Sequence, residues 1–323
     1  MHPSLPFLFL LLLSHIGAET GYPAFNVFTS SAQLGLGGAG FLNPSSISSK
    51  LNPASTVKDK VFTTSIIRYL ASITSQSAGL SLPWKNGTGS ASIRHISYGT
   101  FRGYNDDAQP TKTYKSGDTW LRGSYSRQLV NIPLQFGMNT QLYSSSLEDY
   151  RIRVLEFSAG GIVYFEQAKG TLGLSIHQIG KEFSSNAVGI LLPKTVLSGS
   201  KKLAHLPLTL FIDALPSWLI SNTELFIGGI FQVNNVMQIR WGTSTRKGDH
   251  NIQQGLLQSI LGASGFGVGY ATGPTLIHYS TFIYGTGAVI QGLEIGIRLY
   301  CNNYQSSFYF LDVLWLKIIA LLY

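Results

Sequence analysis

Charge is what this 323-residue chain has least of: Asp, Glu, Lys and Arg make up 12% of it, about half the share of an ordinary soluble domain. Cysteine is nearly absent as well. Cys301 stands alone, so no internal disulfide can form, and stability has to come from backbone pairing and packing. The histidines beyond the first 18 residues, His95, His177, His205, His250 and His278, keep apart with no H-x-x-x-H spacing, which offers no metal set. No G-x-S-x-G elbow occurs, so nucleophilic hydrolysis has no motif to start from, and the reading is non-enzymatic with no cofactor. The acid pairs Asp106-Asp107 and Glu148-Asp149 have too few oxygen ligands at a defined spacing for calcium and read as solvated loop charges. The formal charge is +8, but only Lys201-Lys202 and Arg246-Lys247 are adjacent. Basic residues so dispersed suit loops near anionic headgroups rather than a nucleic-acid footprint.

What the chain does have is glycine, 35 residues, and aromatics, with 18 Phe and 16 Tyr. Few charges and many glycines and aromatics, without long apolar runs between the two ends, fit a β-barrel in lipid; a secreted β-sandwich shares the profile. Periodicity favours the barrel. In the stretch 132–143, Ile132, Leu134, Phe136, Met138 and Leu142 fall on one face, while Gln135, Asn139, Gln141 and Tyr143 fall on the other. The alternation recurs where His177 follows Leu172, Leu174 and Ile176, where Arg240 sits between Ile239 and Trp241, and where Glu294 and Arg298 interleave with Leu293, Ile295, Ile297 and Leu299. Ionisable groups are costly against lipid, so Gln135, Asn139, Gln141, Tyr143, His177, Arg240, Glu294 and Arg298 are expected to face a polar lumen.

Turn signals at 86–89, 168–170, 198–200 and 248–251 separate these runs. They leave strand candidates at 61–71, 76–84, 90–100, 119–129, 132–145, 150–158, 160–167, 171–179, 186–192, 205–213, 224–233, 235–243, 264–271, 275–284 and 291–300. Barrels of single bacterial chains have even strand numbers, so the weakest candidate, 186–192, is set aside and about 14 remain. The polar stretches 102–118 and 243–253 are expected to be extracellular loops.

The ends differ from the barrel region at 61–300. Residues 1–18 read as a signal peptide, with an apolar core at 7–13 and Ile16-Gly17-Ala18 as a cleavage site, which predicts export to the outer membrane. Residues 301–323 form an apolar tail carrying Asp312 and Lys317, open to three readings: an interfacial helix, a substitute last strand, or a reading-frame artefact. Residues 19–60 hold the most distinctive stretch, 29–54. Ser31, Ala32, Leu34, Gly35, Leu36, Gly37, Gly38 and Ala39 form a small-residue run, and Asn52, Pro53 and Ala54 follow. Its G-x-G-x-x-G pattern lacks the preceding strand and the following helix of a dinucleotide site. A barrel of this size is too wide to fill with its own small side chains, so a compact glycine-rich segment ahead of the first strand is expected to plug the lumen.

The order SSAQLGLGGAG, then LNPA, resembles the amino-terminal signature of the PorV/PorQ family of outer-membrane barrels, which are FadL-like in fold. Ile96-Ser97-Tyr98-Gly99-Thr100-Phe101 and the stretch LAHLPLTLFID at 203–213 are similar to the PorQ branch. The resemblance implies an all-β transmembrane antiparallel barrel serving type IX secretion, with outer-membrane lipid, other secretion components and secreted cargo retained at the cell surface as partners. The alternative is a FadL-like transporter, in which the segment is a movable hatch and a small hydrophobic ligand rests on Leu34, Leu36, Phe41 and the inward aromatics.

Overall fold

The computed structural model describes residues 28–47, 51–105, 107–147, 150–183, 191, 193–216, 223–245, 262–284 and 288–299. The expected signal peptide and the apolar tail lie outside the described residues. A short helix, α1 (Ser31–Gly35), precedes fourteen strands. In chain order they are β1 (Val61–Arg68), β2 (Thr74–Trp84), β3 (Gly87–Tyr104), β4 (Pro110–Gln128), β5 (Leu134–Leu147), β6 (Tyr150–Phe165) and β7 (Gly170–Glu182). They continue as β8 (Lys194–Lys202), β9 (Leu208–Leu215), β10 (Glu224–Gln232), β11 (Met237–Ser244), β12 (Ser264–Thr272), β13 (Thr275–Ile283) and β14 (Val289–Arg298). Each pairs antiparallel with its chain neighbours, and β1 closes on β14 with Val61 opposite Arg298 and Arg68 opposite Gln291. The result is a closed barrel without a free edge.

Period two builds the wall. On β5, Phe136 and Met138 are 45% and 55% exposed while Gln135 and Gln141 are 3% and 4% exposed. Leu172 and Leu174 on β7 and Ile212 on β9 continue the exposed apolar belt. So much apolar surface facing outward, with polar side chains buried inside, matches lipid outside and a polar lumen within.

The strand number agrees with the sequence expectation, but several assignments need correction. Candidates 150–158 and 160–167 are one strand, β6, because Gly160 and Gly161 continue the ladder opposite Ser175 and Leu174 instead of breaking it. Ser198-Gly199-Ser200 is no turn. It lies inside β8, paired with β7 and β9, with Val196 buried and Leu197 exposed. The discarded candidate 186–192 falls almost wholly outside the described residues. Most of 102–118 is strand, since β3 and β4 stay paired up to Tyr104 and Pro110 and only 105–109 connects them. Gly87 and Gly89 likewise belong to β3.

One end of the barrel carries short turns, such as 85–86, 166–169 and 273–274, and the other carries the connections 183–193, 216–223 and 245–263. Short turns face the periplasm in outer-membrane barrels and longer loops face outward.

Candidate functional site inside the barrel

Residues 29–42 and 51–56 are buried throughout. Ser30 caps α1, its hydroxyl accepting from the Gln33 amide at 3.1 Å. The Gln33 side chain turns back to accept from the Thr29 amide at 3.1 Å and hydroxyl at 2.8 Å. This reciprocal pair satisfies donors that a short helix leaves open. The glycines follow the helix, the reverse of a dinucleotide fold, and Gly37, Gly38 and Gly40 adopt φ of 60°, 95° and 87°. Only glycine enters that region freely, so the chain can double back within the barrel.

The inner wall receives the segment at three places. At β11, β13 and β14, the Ala32 amide donates to Glu294 Oε2 at 3.1 Å, and Arg240 Nη1 donates to the Ala32 carbonyl at 3.2 Å. Arg240 Nη2 also meets His278 Nε2 at 3.2 Å. At β9, Asp213 Oδ2 accepts from the Gly40 amide at 2.7 Å and the Phe41 amide at 3.4 Å. At β6 and β7, Asn52 Nδ2 donates to the wall carbonyls of Gly161 and Leu174 at 3.2 and 3.1 Å, and its Oδ1 accepts from the Ala54 amide at 3.0 Å. Gln135 Nε2 donates to the Ala54 carbonyl at 2.7 Å, and Thr56 hydrogen-bonds Ser126.

Wall glycines make this approach feasible. A Cβ on Gly242 or Gly265 would strike the backbone of Leu36 or Leu34. One on Gly137 or Gly160 would strike Pro53 or Asn52, and one on Gly173 would meet Leu42. The wall is flat where the segment touches it. Apolar contacts complete the fit: Leu34 packs with Ile67, Phe282 and Ile290, and Leu36 with Ala39, Phe211 and Phe226. The expectation that a ligand would rest on Leu34 and Leu36 is thereby corrected, because wall packing occupies both.

Beside the segment lies a cavity of about 100 Å³, open on one side to solvent. Phe28, Phe41, Phe226 and Phe282 line its apolar side, and Phe28 meets Phe282 at a ring separation of 4.8 Å. Arg94, Gln141, Glu156 and His177 line the polar side. Glu156 is held by Gln141 Nε2 at 3.1 Å, Ser158 Oγ at 3.3 Å and the Gln178 amide at 3.2 Å. The last bond arises at a bulge between β6 and β7, where Gln178 takes a φ of 65°. The extra residue leaves both His177 and Gln178 buried. The Arg94 guanidinium stacks over the Trp120 ring at 3.7 Å. Among the described residues, no group of three or more His, Cys, Asp or Glu could hold a metal ion.

Of the residues expected to face the lumen, Gln135, Asn139, Gln141, Tyr143, His177, Arg240 and Glu294 are buried. Gln135, Arg240 and Glu294 touch the segment directly, whereas Gln141 and His177 face the cavity. Arg298 is exposed at the end of β14, its Nε 3.8 Å from Asp59. Sequence reasoning missed Asp213, Arg94, Glu156 and the wall glycines. Carrying the period-two count one step further along Phe211 and Asp213, or Glu156 and Ser158, finds both acids.

The sequence matches no established protein family and no curated protein. Solved structures do resemble it. The toluene transporter TodX of P. putida aligns with a TM-score of 0.51 at 10% identity, over 84% of this chain and 99% of TodX. A FadL homologue from Pseudomonas aeruginosa aligns at 0.48 and 13% identity, over 88% of this chain and 100% of that one. Omp33 of Acinetobacter baumannii aligns at 0.43 and 8%, over 75% and 99%. The fold is a closed barrel of fourteen antiparallel strands, similar to that of TodX.

Proposed function

We propose that the protein is a non-enzymatic outer-membrane channel for a small hydrophobic molecule, with residues 29–47 and 51–56 plugging the lumen and the adjoining cavity as the binding site. The observation that carries this reading is the cavity itself, apolar through four phenylalanines on one side and lined by polar groups on the other. A mostly apolar concave site with a few placed polar groups suits a small ligand. The resemblance to a toluene transporter supports the same substrate class. The test is uptake of a radiolabelled monoaromatic hydrocarbon into liposomes carrying the full chain. Uptake above empty liposomes, reduced at least fivefold by Phe226→Asp, supports channel function; equal uptake with and without the protein sinks it.

A second reading follows from the signature shared with the PorV/PorQ family: a component of type IX secretion, PorQ-like, that retains cargo at the cell surface. In its favour, every residue of the signature from Ser31 to Ala39 and from Asn52 to Ala54 is committed to the barrel interior, as a segment built into the working structure would be. Deleting the gene separates the two readings. Loss of surface-attached secreted proteins supports secretion; loss of uptake alone supports transport.

A further inference from the structure

Two side chains that line the cavity beside the segment keep hydrogen-bonding capacity that the protein does not use. Arg94, on β3, is 5% exposed and lines the cavity. Among the described residues its Nε and Nη1 find no hydrogen-bond acceptor. A buried cation short of acceptors is costly. Asp118 does not meet the need, since its Oδ2 accepts from the Tyr98 hydroxyl at 2.6 Å. Glu156, on β6, is the second side chain. Its Oε1 accepts from Ser158 and the Gln178 amide, whereas its Oε2 accepts from Gln141 alone. A carboxylate oxygen can accept two hydrogen bonds, so Oε2 has one to spare.

The register places these groups. Ser92, Arg122, Gln141 and Glu156 face one another in a row across β3 to β6, and Arg94 is the next inward residue on β3. Three strand spacings, roughly 14 Å, part the backbones of Arg94 and Glu156. The Arg94 side chain shortens that span: its guanidinium lies over the Trp120 ring on β4 at 3.7 Å and acts on the Glu156 charge. Across the cavity stand Phe28, Phe41, Phe226 and Phe282.

Size and charge then narrow the ligand. A closed cavity of about 150 Å³ accepts benzene, so one of about 100 Å³, open on one side, holds a single ring and little more. Its charged lining is balanced, with Arg94 and Lys194 against Glu156 and Glu224. An anionic ligand would upset that balance and meet the Glu156 carboxylate. A neutral hydroxyl serves both open groups, its oxygen accepting from Arg94 and its proton going to Glu156.

We infer that the cavity takes a phenol, a single aromatic ring bearing a neutral hydroxyl, with the ring among the phenylalanines and the hydroxyl between Arg94 and Glu156. The inference rests on the channel reading and names its substrate class. A site that pairs with a substrate hydroxyl rejects the analogue lacking it, because its own buried groups are then left unpaired. A plain hydrocarbon is the poorer ligand.

The test titrates radiolabelled p-cresol and p-xylene, alike in size and differing by hydroxyl for methyl, against the full chain in a neutral maltoside detergent. At pH 7 the phenol is uncharged. Binding is read by equilibrium dialysis, with empty micelles as the blank. p-Cresol is expected to bind at least tenfold more tightly than p-xylene, and 4-methylbenzoate more weakly than p-cresol. Arg94→Met should bring the preference for p-cresol below twofold, while Lys201→Gln, at an exposed site, leaves it within twofold of the unaltered protein. Glu156→Gln, expected to lower the preference about threefold, decides the matter if Arg94→Met fails to fold. Equal affinity for p-cresol and p-xylene, an undiminished preference in either folded cavity variant, or tightest binding of 4-methylbenzoate would overturn the phenol assignment and leave the channel reading standing. Binding of none of the three above the blank would sink the channel reading and this inference with it.

Discussion

The two halves of the wall solve different problems with the same alternation. Strands β8–β14 run 8 to 10 residues, close to the ~9–11 that cross a bilayer. Strands β3–β7 run 13 to 19. On β4 the excess is about eight residues, roughly 27 Å of strand, and it projects at the long-loop end, where β3 and β4 stay paired to their tips. The short half grips residues 29–41 through charged side chains, Glu294, Arg240 and Asp213, aimed at backbone amides and a carbonyl. The long half grips residues 52–56 through Asn52 on wall carbonyls and through neutral partners. The difference teaches that the segment is fastened twice, once by ionic groups whose burial demands a partner and once by neutral hydrogen bonds. The two fastenings should fail by different amounts.

The largest effect is expected from Glu294→Ala. It leaves the buried Ala32 amide without its acceptor and removes the carboxylate whose charge offsets the buried Arg240 guanidinium, and removing one member of a buried charged network costs about 3–5 kcal/mol. Urea unfolding of the detergent-solubilised barrel measures it, and a loss below 1 kcal/mol would erase the distinction between the halves. Next comes Gly242→Val on the same side. Its side chain collides with Leu36, and overpacking of this kind costs about 1–3 kcal/mol. The segment should become open to proteolysis between residues 36 and 42 while unboiled gel mobility stays that of a folded barrel. On the neutral side, Asn52→Leu gives up both bonds to the Gly161 and Leu174 carbonyls, worth about 1–2 kcal/mol together. If it proves as damaging as Glu294→Ala, the two fastenings are equivalent. The smallest effect belongs to Arg298→Gln. An exposed pair at 3.8 Å from Asp59 contributes less than about 0.5 kcal/mol, and a thermal melt in detergent should show no resolvable shift.

The site was legible where a side chain's direction follows from parity alone. Arg240 and Glu294 alternate with Ile239 and Leu293, and a charge opposite a lipid-facing residue has only the lumen to enter. Arg298 has the same parity yet ends up exposed, because parity is silent about where a strand leaves the barrel. The stretch 150–167 read as two strands parted at residue 159, and Ser198-Gly199-Ser200 as a turn, since small residues carry the same local signal in both settings. Their role depends on what packs against them, here Asn52 and Pro53 for Gly160. Gln178 illustrates the same limit: its bulge inserts a second buried residue after His177, and nothing local marks it.

By itself the sequence determined that the chain makes two-faced strands with greasy residues outward, because side chains alternate across a strand whatever its partners. It also determined that a compact glycine-rich run precedes them. Only the tertiary structure decided that β1 meets β14, that β3 and β4 overrun the membrane, and that Asp213 finds the amides of Gly40 and Phe41 across more than 170 residues of chain. Ring closure and register are set by contacts between distant segments, and no local pattern encodes which distant segment arrives.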